Sequence, residues 1–549
     1  MKFGKDIIID TLKRNNVTRI FGNPGTTETP LLNALSHDGS IEYLLGLQEG
    51  TVVGMAAGYS LSTGQTSIVN IHTYPGLANS LCNMHNAMLA NAPVLITAGQ
   101  QDSRHLSLSP TLSGPLTSLA QTSSKSSEEI LISEDIELKL QRGINVTQKY
   151  PKGVAFLSIP MDITEREINN YHKLRPTKQE SLGEISCVDA EHLAKSLSGK
   201  KNAVILDQEA AEAFESIVML AEKLEADVFS NPMANIQVFD TAHVLYKGAL
   251  PPFAKQAHKI LSEYDNILLI GRNISLFLFT QGPQVPETTN FIQINPYNLA
   301  DRENYSVDEF YTADIRSSIL KVTTLLEANN LVDSVKSRDK AFKQELKAKR
   351  KAYLKKLDLF DSKINIQGLC NIVSKYIPEQ TALVIEASSY EGIIKSSIYR
   401  SVPGRMYTAP AGGGLGWAMP LAAGVCLGLN ERVLCFVGDG GFNYSLQAIY
   451  SMVRYDMDVM IICLNNNYYD VLEKLKNVQF PEDALKPIEC LDLSPNAVDY
   501  LKVAEGYGAS TASISTYNDL IKALESFSLK GGCVVLDVQI EKIDSLTMT

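Results

Sequence analysis

The sequence predicts an α/β protein made of three doubly wound parallel-sheet domains. A chain of 549 residues is too long to fold around a single hydrophobic core, and about three domains are expected at this length. Short apolar runs bounded by loop residues alternate with helix-like stretches, which is typical of parallel sheets covered by helices. A strand, a Gly-Asp-Gly turn, a helix and a second strand between residues 433 and 464 form one clear βαβ unit.

Apolar runs of strand length mark the interior of each domain, and we place the domains at residues 1–175, 185–335 and 360–549. Residues 175–184 are polar and predict a linker, while residues 333–357 are basic and predict a solvated connecting helix. The predicted strands are Arg19–Phe21, Ile68–Ile71, Val94–Ala98, Val154–Ile159, Ala203–Leu206, Ile267–Ile270, Phe291–Ile294, Val433–Val437, Val459–Leu464 and Val534–Gln539.

The composition is that of an ordinary globular protein with an acidic surface. Hydrophobic residues make up 45% and charged residues 20% of the chain, and the net charge is −11. This balance argues against nucleic acids and anionic membranes as partners, and the longest uncharged stretch is too rich in glycine and proline to span a bilayer. Eight scattered cysteines without a Cys-x-x-Cys pair, and an N-terminus without a signal-peptide pattern, predict a cytoplasmic protein.

Two neighbouring strand ends carry oxygen atoms suited to a divalent cation. The first strand ends in a Gly-Asp-Gly turn at Asp439, and the second ends in an asparagine run at Asn466. Because the helix-like stretch Ser445–Tyr455 connects them, both ends should lie at the carboxyl edge of a parallel sheet. Mg²⁺ prefers about six oxygens, usually from one or two carboxylates together with phosphates and water. We therefore predict Asp439, the Asn466 side chain and the Tyr468 main-chain carbonyl as Mg²⁺ ligands.

The glycines beside this predicted metal site indicate an anionic ligand. Gly440 and Gly441 let the backbone approach a diphosphate closely, and the helix that follows offers unpaired N–H groups. By itself, a Gly-Asp-Gly turn is usually an ordinary turn in an α/β sheet. The complete strand–turn–helix–strand unit with its asparagine run instead indicates a metal-bound diphosphate.

This unit resembles the thiamine diphosphate signature of the large family that includes pyruvate decarboxylase, acetolactate synthase and benzoylformate decarboxylase. The resemblance extends over the whole chain, because that family also has three α/β domains with this motif in the last. It implies thiamine diphosphate and Mg²⁺ as cofactors, a first domain that binds the pyrimidine ring, a middle domain, and a third domain that binds the diphosphate. It also implies a homodimer or homotetramer with active sites at the dimer interface, acting on a small-molecule 2-oxo acid.

The family resemblance requires a glutamate that hydrogen-bonds the aminopyrimidine ring. Glu49 fits this requirement, since it follows an apolar strand and begins a helix of small residues. We expect its carboxylate to lie in an apolar setting. A glutamate at a strand end is usually ordinary surface chemistry, so the role of Glu49 depends on the resemblance.

The resemblance also assigns cofactor contacts elsewhere in the chain. Leu415 is expected to wedge the cofactor into its bent shape, with the Gly413 carbonyl meeting its amino group. The glycines around them do not match a dinucleotide loop, because Trp417 stands where the third glycine of that motif belongs. The other predicted cofactor contacts are Glu49, Pro24, Asn79, Ser388, Asp439, Gly440, Gly441, Asn466 and Tyr469.

Three stretches are similar to benzoylformate decarboxylase in particular: Phe21–Glu28, Asn70–Thr73 and Gly413–Gly416. The first implies that the Thr26 hydroxyl binds the substrate carboxylate. The second implies that His72 transfers protons during catalysis. A lone histidine after a strand is usually structural, so this role too rests on the resemblance.

The middle domain departs from that pattern. The family carries a second catalytic histidine there, but residues 271–279 contain none, and Leu278 or Phe279 stands in its place. The paired histidines of the pyruvate decarboxylase branch are also missing, because only His105 is present at that position. Benzoylformate is therefore in doubt as the substrate, while cofactor activation is unaffected.

The sequence as a whole predicts non-oxidative decarboxylation of a 2-oxo acid to an aldehyde and CO₂. One alternative is an acetolactate synthase-type carboligase, whose relatives carry FAD in the middle domain. Another is a relative that binds the cofactor without turnover. Three apolar residues after the asparagine run either line the substrate pocket, which would favour an apolar substituent, or belong to a helix core; they are Val471, Leu472 and Leu475.

Overall fold

The structure, a computed structural model, describes residues 2–168, 173–174, 182–276, 282–298, 306–326, 331–360, 363–483 and 486–542. These residues form three six-stranded sheets, in each of which all neighbouring strands are parallel, and one short antiparallel ribbon. Helices cover the sheets, so the structure confirms the predicted fold class of three parallel-sheet α/β domains.

The first sheet has the strand order β3-β2-β4-β5-β7-β6, and β1 pairs with β8 in the ribbon. Its strands are β1 (Lys2–Phe3), β2 (Arg19–Asn23), β3 (Glu42–Leu45), β4 (Ser67–Ile71), β5 (Val94–Gln100), β6 (Ser126–Glu129), β7 (Val154–Pro160) and β8 (Glu167–Ile168). Its helices are α1 (Gly4–Arg14), α2 (Thr29–Asp38), α3 (Glu49–Thr63), α4 (Thr73–Leu89), α5 (Leu116–Ala120), α6 (Ile136–Gln148) and α7 (Met161–Glu165).

The middle sheet has the order β11-β10-β9-β12-β13-β14. Its strands are β9 (Asn202–Leu206), β10 (Asp227–Ser230), β11 (Tyr246–Ala249), β12 (Asn266–Ile270), β13 (Asn290–Asn295) and β14 (Glu309–Thr312). Its helices are α8 (Cys187–Leu197), α9 (Phe214–Leu224), α10 (Ala254–Leu261) and α11 (Ile315–Leu325). The predicted connecting helix follows as α12 (Leu331–Lys356).

The third sheet has the order β16-β15-β17-β18-β20-β19. Its strands are β15 (Ala382–Glu386), β16 (Met406–Thr408), β17 (Val433–Gly438), β18 (Val459–Asn465), β19 (Ser510–Ile514) and β20 (Val534–Gln539). Its helices are α13 (Ile366–Tyr376), α14 (Glu391–Ser397), α15 (Ala418–Leu429), α16 (Asp439–Phe442), α17 (Ala448–Arg454), α18 (Asp470–Gln479), α19 (Tyr500–Gly506) and α20 (Tyr517–Lys530).

The first and third sheets have the same topology. If the six strands of each sheet are numbered along the chain, they lie in the spatial order 2-1-3-4-6-5 in both sheets. The crevice at which the chain changes direction across the sheet therefore lies between β2 and β4 in the first domain and between β15 and β17 in the third. Ligands of open α/β sheets bind outside the carboxyl ends of the strands at such a crevice.

All ten predicted strands are present, and most are one or two residues longer than predicted. Local detail differs around the Gly-Asp-Gly motif. The strand ends at Gly438, but Asp439 begins the short helix α16 instead of lying in a turn. The helix predicted over Ser445–Tyr455 is shorter and spans Ala448–Arg454. The predicted linker falls mostly on residues 175–181, which lie outside the described residues.

No helix in the described ranges is long and apolar enough to cross a membrane. All eight cysteines are present as free thiols, and Cys435 and Cys463 lie buried inside strands as predicted.

The first and third domains share one hydrophobic core. Helices α3 and α15 pack closely where glycines remove the side chains between them. A Cβ atom on Gly58 would lie 2.2 Å from the Leu421 carbonyl oxygen, and one on Gly424 would lie 1.9 Å from the Met55 carbonyl oxygen. These distances are shorter than any van der Waals contact, so close helix packing requires glycine at both positions.

The Gly424→Ala substitution is therefore expected to destabilise the protein by roughly 1–3 kcal/mol, because α3 and α15 must move apart. Thermal unfolding of the purified variant measures the effect as a lowered midpoint. Gly506→Ala in α19 is the matched control, since its added methyl group meets no atom within 4 Å. An unchanged midpoint for Gly424→Ala would show that this helix contact does not limit stability.

Candidate active site

The first domain brings its predicted site residues to the carboxyl edge of its sheet. Pro24 and Thr26 follow β2, Glu49 begins α3 just after β3, and His72 follows β4. Since β3, β2 and β4 are neighbours in the sheet, these residues surround the crevice of the first domain. Pro24 is half-buried, and Thr26 is exposed at the start of a 3₁₀ turn.

Glu49 is oriented by two amide side chains. Its Oε1 accepts a hydrogen bond from Asn23 Nδ2 at 3.2 Å, and its Oε2 accepts one from Asn79 Nδ2 at 3.1 Å. The expected apolar setting is therefore wrong, because the half-buried carboxylate is held by polar donors. Asn79, predicted to contact the cofactor, lies directly against the predicted proton-exchanging group.

His72 belongs to a polar cluster that the sequence analysis did not assign. Its Nδ1 lies 2.9 Å from Glu28 Oε2 and 3.1 Å from Thr27 Oγ1. Thr27 in turn donates to Glu28 Oε1 at 2.8 Å, and Glu28 and Thr27 are both buried. The hydrogen bond with Glu28 raises the pKa of His72 above its ordinary value, although burial of the ring opposes the rise.

Glycines make room for this cluster. A Cβ atom on Gly25 would lie 2.2 Å from the His72 ring, and one on Gly99 would lie 1.9 Å from Glu28 Oε1. The residue after His72, Thr73, has a φ of +43° and a buried hydroxyl without a hydrogen-bond partner among the described residues. Strained backbone of this kind is often found at functional sites.

The Glu28→Gln substitution is expected to lower the pKa of His72 towards that of a free histidine, because a neutral amide stabilises the imidazolium less than a carboxylate. NMR titration of the imidazole protons measures the shift, and the His72 signal is identified by its loss in His72→Asn. Glu42→Gln, at an exposed position of β3, serves as the control. An unchanged His72 titration in Glu28→Gln would refute the pairing.

The third domain also brings its predicted site residues to the carboxyl edge. Ser388 lies exposed just after β15, and Gly413 lies exposed, with a φ of +63°, in the loop between β16 and α15. Asp439 follows β17, and Asn466 follows β18. Leu415 is half-buried in the same loop as Gly413.

Asp439 offers an oxygen atom suited to a metal. Its Oδ1 accepts a hydrogen bond from the Gly440 N–H at 2.7 Å, whereas its Oδ2 is buried and has no hydrogen-bond partner among the described residues. Burial raises the pKa of Asp439, and main-chain N–H groups nearby oppose the rise. A buried, unpartnered carboxylate oxygen is costly unless a ligand neutralises it.

The Asn466 side chain is held in one orientation. Its Nδ2 donates to the Tyr390 hydroxyl at 2.9 Å, and that hydroxyl donates to the Glu541 carbonyl oxygen at 3.0 Å. The Asn466 Oδ1 accepts from the Tyr468 N–H at 3.0 Å, so the amide oxygen points back to the loop that follows β18. Tyr390 was not predicted, and no local pattern in the sequence points to it.

Glycine is required at position 440 to accommodate Tyr469. A Cβ atom on Gly440 would lie 2.4 Å from Cε1 of the Tyr469 ring. One on Gly441 would lie 3.4 Å from Glu386 Oε1. Gly440 and Tyr469, both predicted cofactor contacts, are therefore in direct contact with each other.

The predicted residues form two groups. Glu49, His72 and Thr26 lie at the edge of the first sheet, and Asp439, Asn466 and Tyr468 at the edge of the third. In the part of the chain that the structure describes, no hydrogen bond or ion pair joins the two groups directly. Leu278 and Phe279, one of which stands where the family carries its second catalytic histidine, lie outside the described residues.

Comparison with known proteins agrees with this architecture. Three domain models of thiamine pyrophosphate enzymes match the chain: the N-terminal TPP binding domain over residues 2–154, the central domain over 190–322 and the C-terminal TPP binding domain over 389–538. Benzoylformate decarboxylase of Pseudomonas aeruginosa is 27% identical over 97% of this chain and 98% of its own length. A putative acetolactate synthase large subunit of Mycobacterium tuberculosis, IlvX, is 24% identical over 98% of this chain and 99% of its own.

A solved structure shows the same fold over the full length. The crystal structure of benzoylformate decarboxylase from Polynucleobacter necessarius has a TM-score of 0.87 and 26% sequence identity, and each chain is covered completely. The three domains, their order and their sheets thus agree with sequence and structure comparisons alike. The chain belongs to the thiamine pyrophosphate (thiamine diphosphate) enzyme family, a family with decarboxylase and acetolactate synthase members.

Proposed function

We propose that this protein is a thiamine diphosphate- and Mg²⁺-dependent enzyme that decarboxylates a 2-oxo acid to an aldehyde and CO₂. The observation that carries the proposal is the buried, unpartnered Oδ2 of Asp439 beside Asn466, at the carboxyl edge of the third sheet. The oriented carboxylate of Glu49 at the edge of the first sheet supports it.

The residues present fit the cofactor. Asp439, the Asn466 side chain and the Tyr468 carbonyl would hold Mg²⁺, and the diphosphate would bind beside Gly440, Gly441 and Ser388. Pro24, Asn79, Gly413, Leu415 and Tyr469 would complete its surroundings. When bound, thiamine diphosphate accepts the electrons that remain when CO₂ leaves.

The chain itself supplies orientation and proton transfer. Asn23 and Asn79 fix the Glu49 carboxylate, which exchanges a proton with the aminopyrimidine ring. Glu28 holds His72 through Nδ1, so that Nε2 is left to move protons at the reacting carbon. The exposed Thr26 hydroxyl is available to bind the substrate carboxylate.

The exposure of the apolar residues in helix α18 supports the prediction that the substrate carries an apolar substituent. Its buried residues are Asp470 and Lys474, which form an ion pair, whereas Leu472 is 49% exposed. Val471 and Leu475 are half-buried. The interpretation of these three apolar residues as helix core is therefore weakened, and they are available to line a pocket next to the loop between β18 and α18.

A second candidate function is carboligation of the acetolactate synthase type. It is favoured by the absence of a histidine from residues 271–279, because one proton donor fewer would then compete with a second carbonyl compound. Relatives named as acetolactate synthase subunits also match over nearly the whole chain. A flavin absorption band in the purified protein would support this branch.

The deciding experiment measures CO₂ release from aliphatic and aromatic 2-oxo acids with thiamine diphosphate and Mg²⁺, together with the organic products. Cofactor-dependent CO₂ release with an aldehyde product would support decarboxylation, and a 2-hydroxy ketone product would support carboligation. Cofactor binding without CO₂ release from any acid would refute both functions and identify a non-catalytic relative.

We further propose a homodimer or homotetramer in the cytoplasm, with active sites shared between subunits. The support is that, among the described residues, no hydrogen bond or ion pair joins Glu49, His72 and Thr26 to Asp439, Asn466 and Tyr468, so a second copy could complete each of these two groups. Light scattering of the active enzyme tests this proposal. A monomer that turns over substrate would refute it.

A further inference from the structure

The loop of residues 412–417, between β16 and α15, is held from the first domain by two buried asparagines. Asn86 of α4 accepts a hydrogen bond from the Gly414 N–H at 3.2 Å and donates one to the Gly414 carbonyl at 2.8 Å. Asn83, one turn earlier, donates to the Gly416 carbonyl at 3.3 Å. Neither side chain is more than 5% exposed, so water does not compete for these bonds.

The same loop is held from the third domain by Glu386, the last residue of β15. Its Oε1 accepts from the Gly416 N–H at 2.7 Å. Its Oε2 accepts from the N–H groups of Trp417 and Ala418 at 2.9 and 2.6 Å. Because the first N–H groups of a helix have no partner within it, the carboxylate caps α15 and fixes the point at which the loop enters it.

Burial of Glu386 makes these bonds important to the local structure. Its side chain is 5% exposed, and burial raises its pKa to about 7, while the three N–H groups oppose that rise. A buried carboxylate is tolerated when its oxygens are hydrogen-bonded. Glu386 is thus strongly constrained, and so is the backbone that binds it.

These bonds leave free the two parts of the loop that the resemblance assigns to the cofactor, Gly413 and Leu415. In the described ranges, no hydrogen bond uses the Gly413 carbonyl oxygen or the backbone of Leu415. Leu415 lies between Gly414, which Asn86 holds, and Gly416, which Glu386 holds, and Gly413 directly precedes Gly414. The bonds therefore fix the loop on both sides of Leu415 and directly after Gly413, without using the groups assigned to the cofactor.

We propose that Glu386 and Asn86 are positioning residues that hold the loop 412–417 in the conformation in which Gly413 and Leu415 contact thiamine diphosphate. This inference rests on the proposed function. Neither residue touches the reacting atoms, and each acts through the backbone that it binds. Loss of either should leave the fold in place but allow the loop to move.

The test uses Trp417, which is the single tryptophan of the chain, is fully buried, and donates its main-chain N–H to Glu386. Its fluorescence reports on the loop whether or not the enzyme turns over. The variants are Glu386→Gln and Asn86→Ala. The matched control is Glu209→Gln, because Glu209 is a buried carboxyl of the middle domain whose pKa burial also raises to about 7.

The measurements are the Trp417 emission without cofactor and the dissociation constant of thiamine diphosphate at saturating Mg²⁺. We expect both variants to change the emission and to weaken cofactor binding about tenfold or more, as for loss of a hydrogen bond to a charged or buried group. Glu209→Gln should match the wild type in both. The Michaelis constant for the cofactor should rise more than kcat falls.

Wild-type emission and cofactor affinity in folded Glu386→Gln and Asn86→Ala would overturn the inference alone. A wild-type protein that fails to bind thiamine diphosphate would overturn the proposed function and this inference with it. If Glu386→Gln does not fold, Asn86→Ala decides the outcome by the same two measurements.

Discussion

Glu49→Gln is expected to lower kcat for CO₂ release by roughly 10²–10⁴-fold, which is the usual contribution of a positioned acid or base. The glutamine keeps the shape of the side chain and an acceptor for one of its amide donors, but it cannot exchange a proton with the aminopyrimidine ring. The affinity for thiamine diphosphate should change little in comparison. Steady-state kinetics with a saturating 2-oxo acid, together with cofactor titration, separates the two effects.

The control for this prediction is Glu42→Gln, on the strand that precedes Glu49. Glu42 is exposed and forms a 3.2 Å ion pair with Arg19, a type of surface contact that contributes at most about 1 kcal/mol. Its kcat should equal that of the wild type. Full activity of Glu49→Gln would show that Glu49 takes no part in catalysis and does not have the role that the family resemblance assigns to it.

Asp439→Asn is expected to weaken Mg²⁺-dependent cofactor binding on the order of 100-fold or more, because it removes the charged member of the proposed metal ligand set. The asparagine still accepts the hydrogen bond from the Gly440 N–H, so the loop should keep its shape. The measurements are the Mg²⁺ dependence of cofactor affinity and the thermal shift that cofactor and metal produce together.

In contrast to cofactor affinity, the stability of the metal-free protein should not fall in Asp439→Asn. Burial raises the pKa of Asp439, so the folded state binds its proton more tightly than the unfolded state. The charged form therefore lowers stability at neutral pH, and this effect grows as pH rises through the folded-state pKa. Asp439→Asn should thus melt no earlier than wild type without metal, which distinguishes ligand loss from unfolding.

Asp492→Asn is the matched control for Asp439. Asp492 lies opposite Tyr468 across an isolated bridge but is exposed, and it accepts a hydrogen bond from the Ser494 N–H. Its cofactor affinity and metal dependence should equal those of the wild type. Equal metal dependence in Asp439→Asn and wild type would refute the proposed ligand set.

Much of the fold followed from local patterns in the sequence. A buried parallel strand is a short apolar run between loop residues, so strands such as Val433–Gly438 and Val459–Asn465 were predicted to within a residue. The start of α16 at Asp439 was not, because a Gly-Asp-Gly segment is compatible with both a turn and the first turn of a helix. The surroundings of Glu49 also differed, since Asn23 and Asn79 come from other segments.

By itself, the sequence determined the fold class and the family and indicated the candidate metal ligands, because each follows from short motifs and apolar runs that can be recognised along the chain. Only the tertiary structure decided which side chains support them: Glu28 beside His72, Tyr390 beside Asn466, and Glu386 with Asn86 around the loop 412–417. These pairs are distant in sequence. They meet because strand order and helix packing bring the carboxyl ends of different strands to one edge of the sheet. Hydrophobic periodicity predicts the individual strands and helices but not the order of the strands in the sheet.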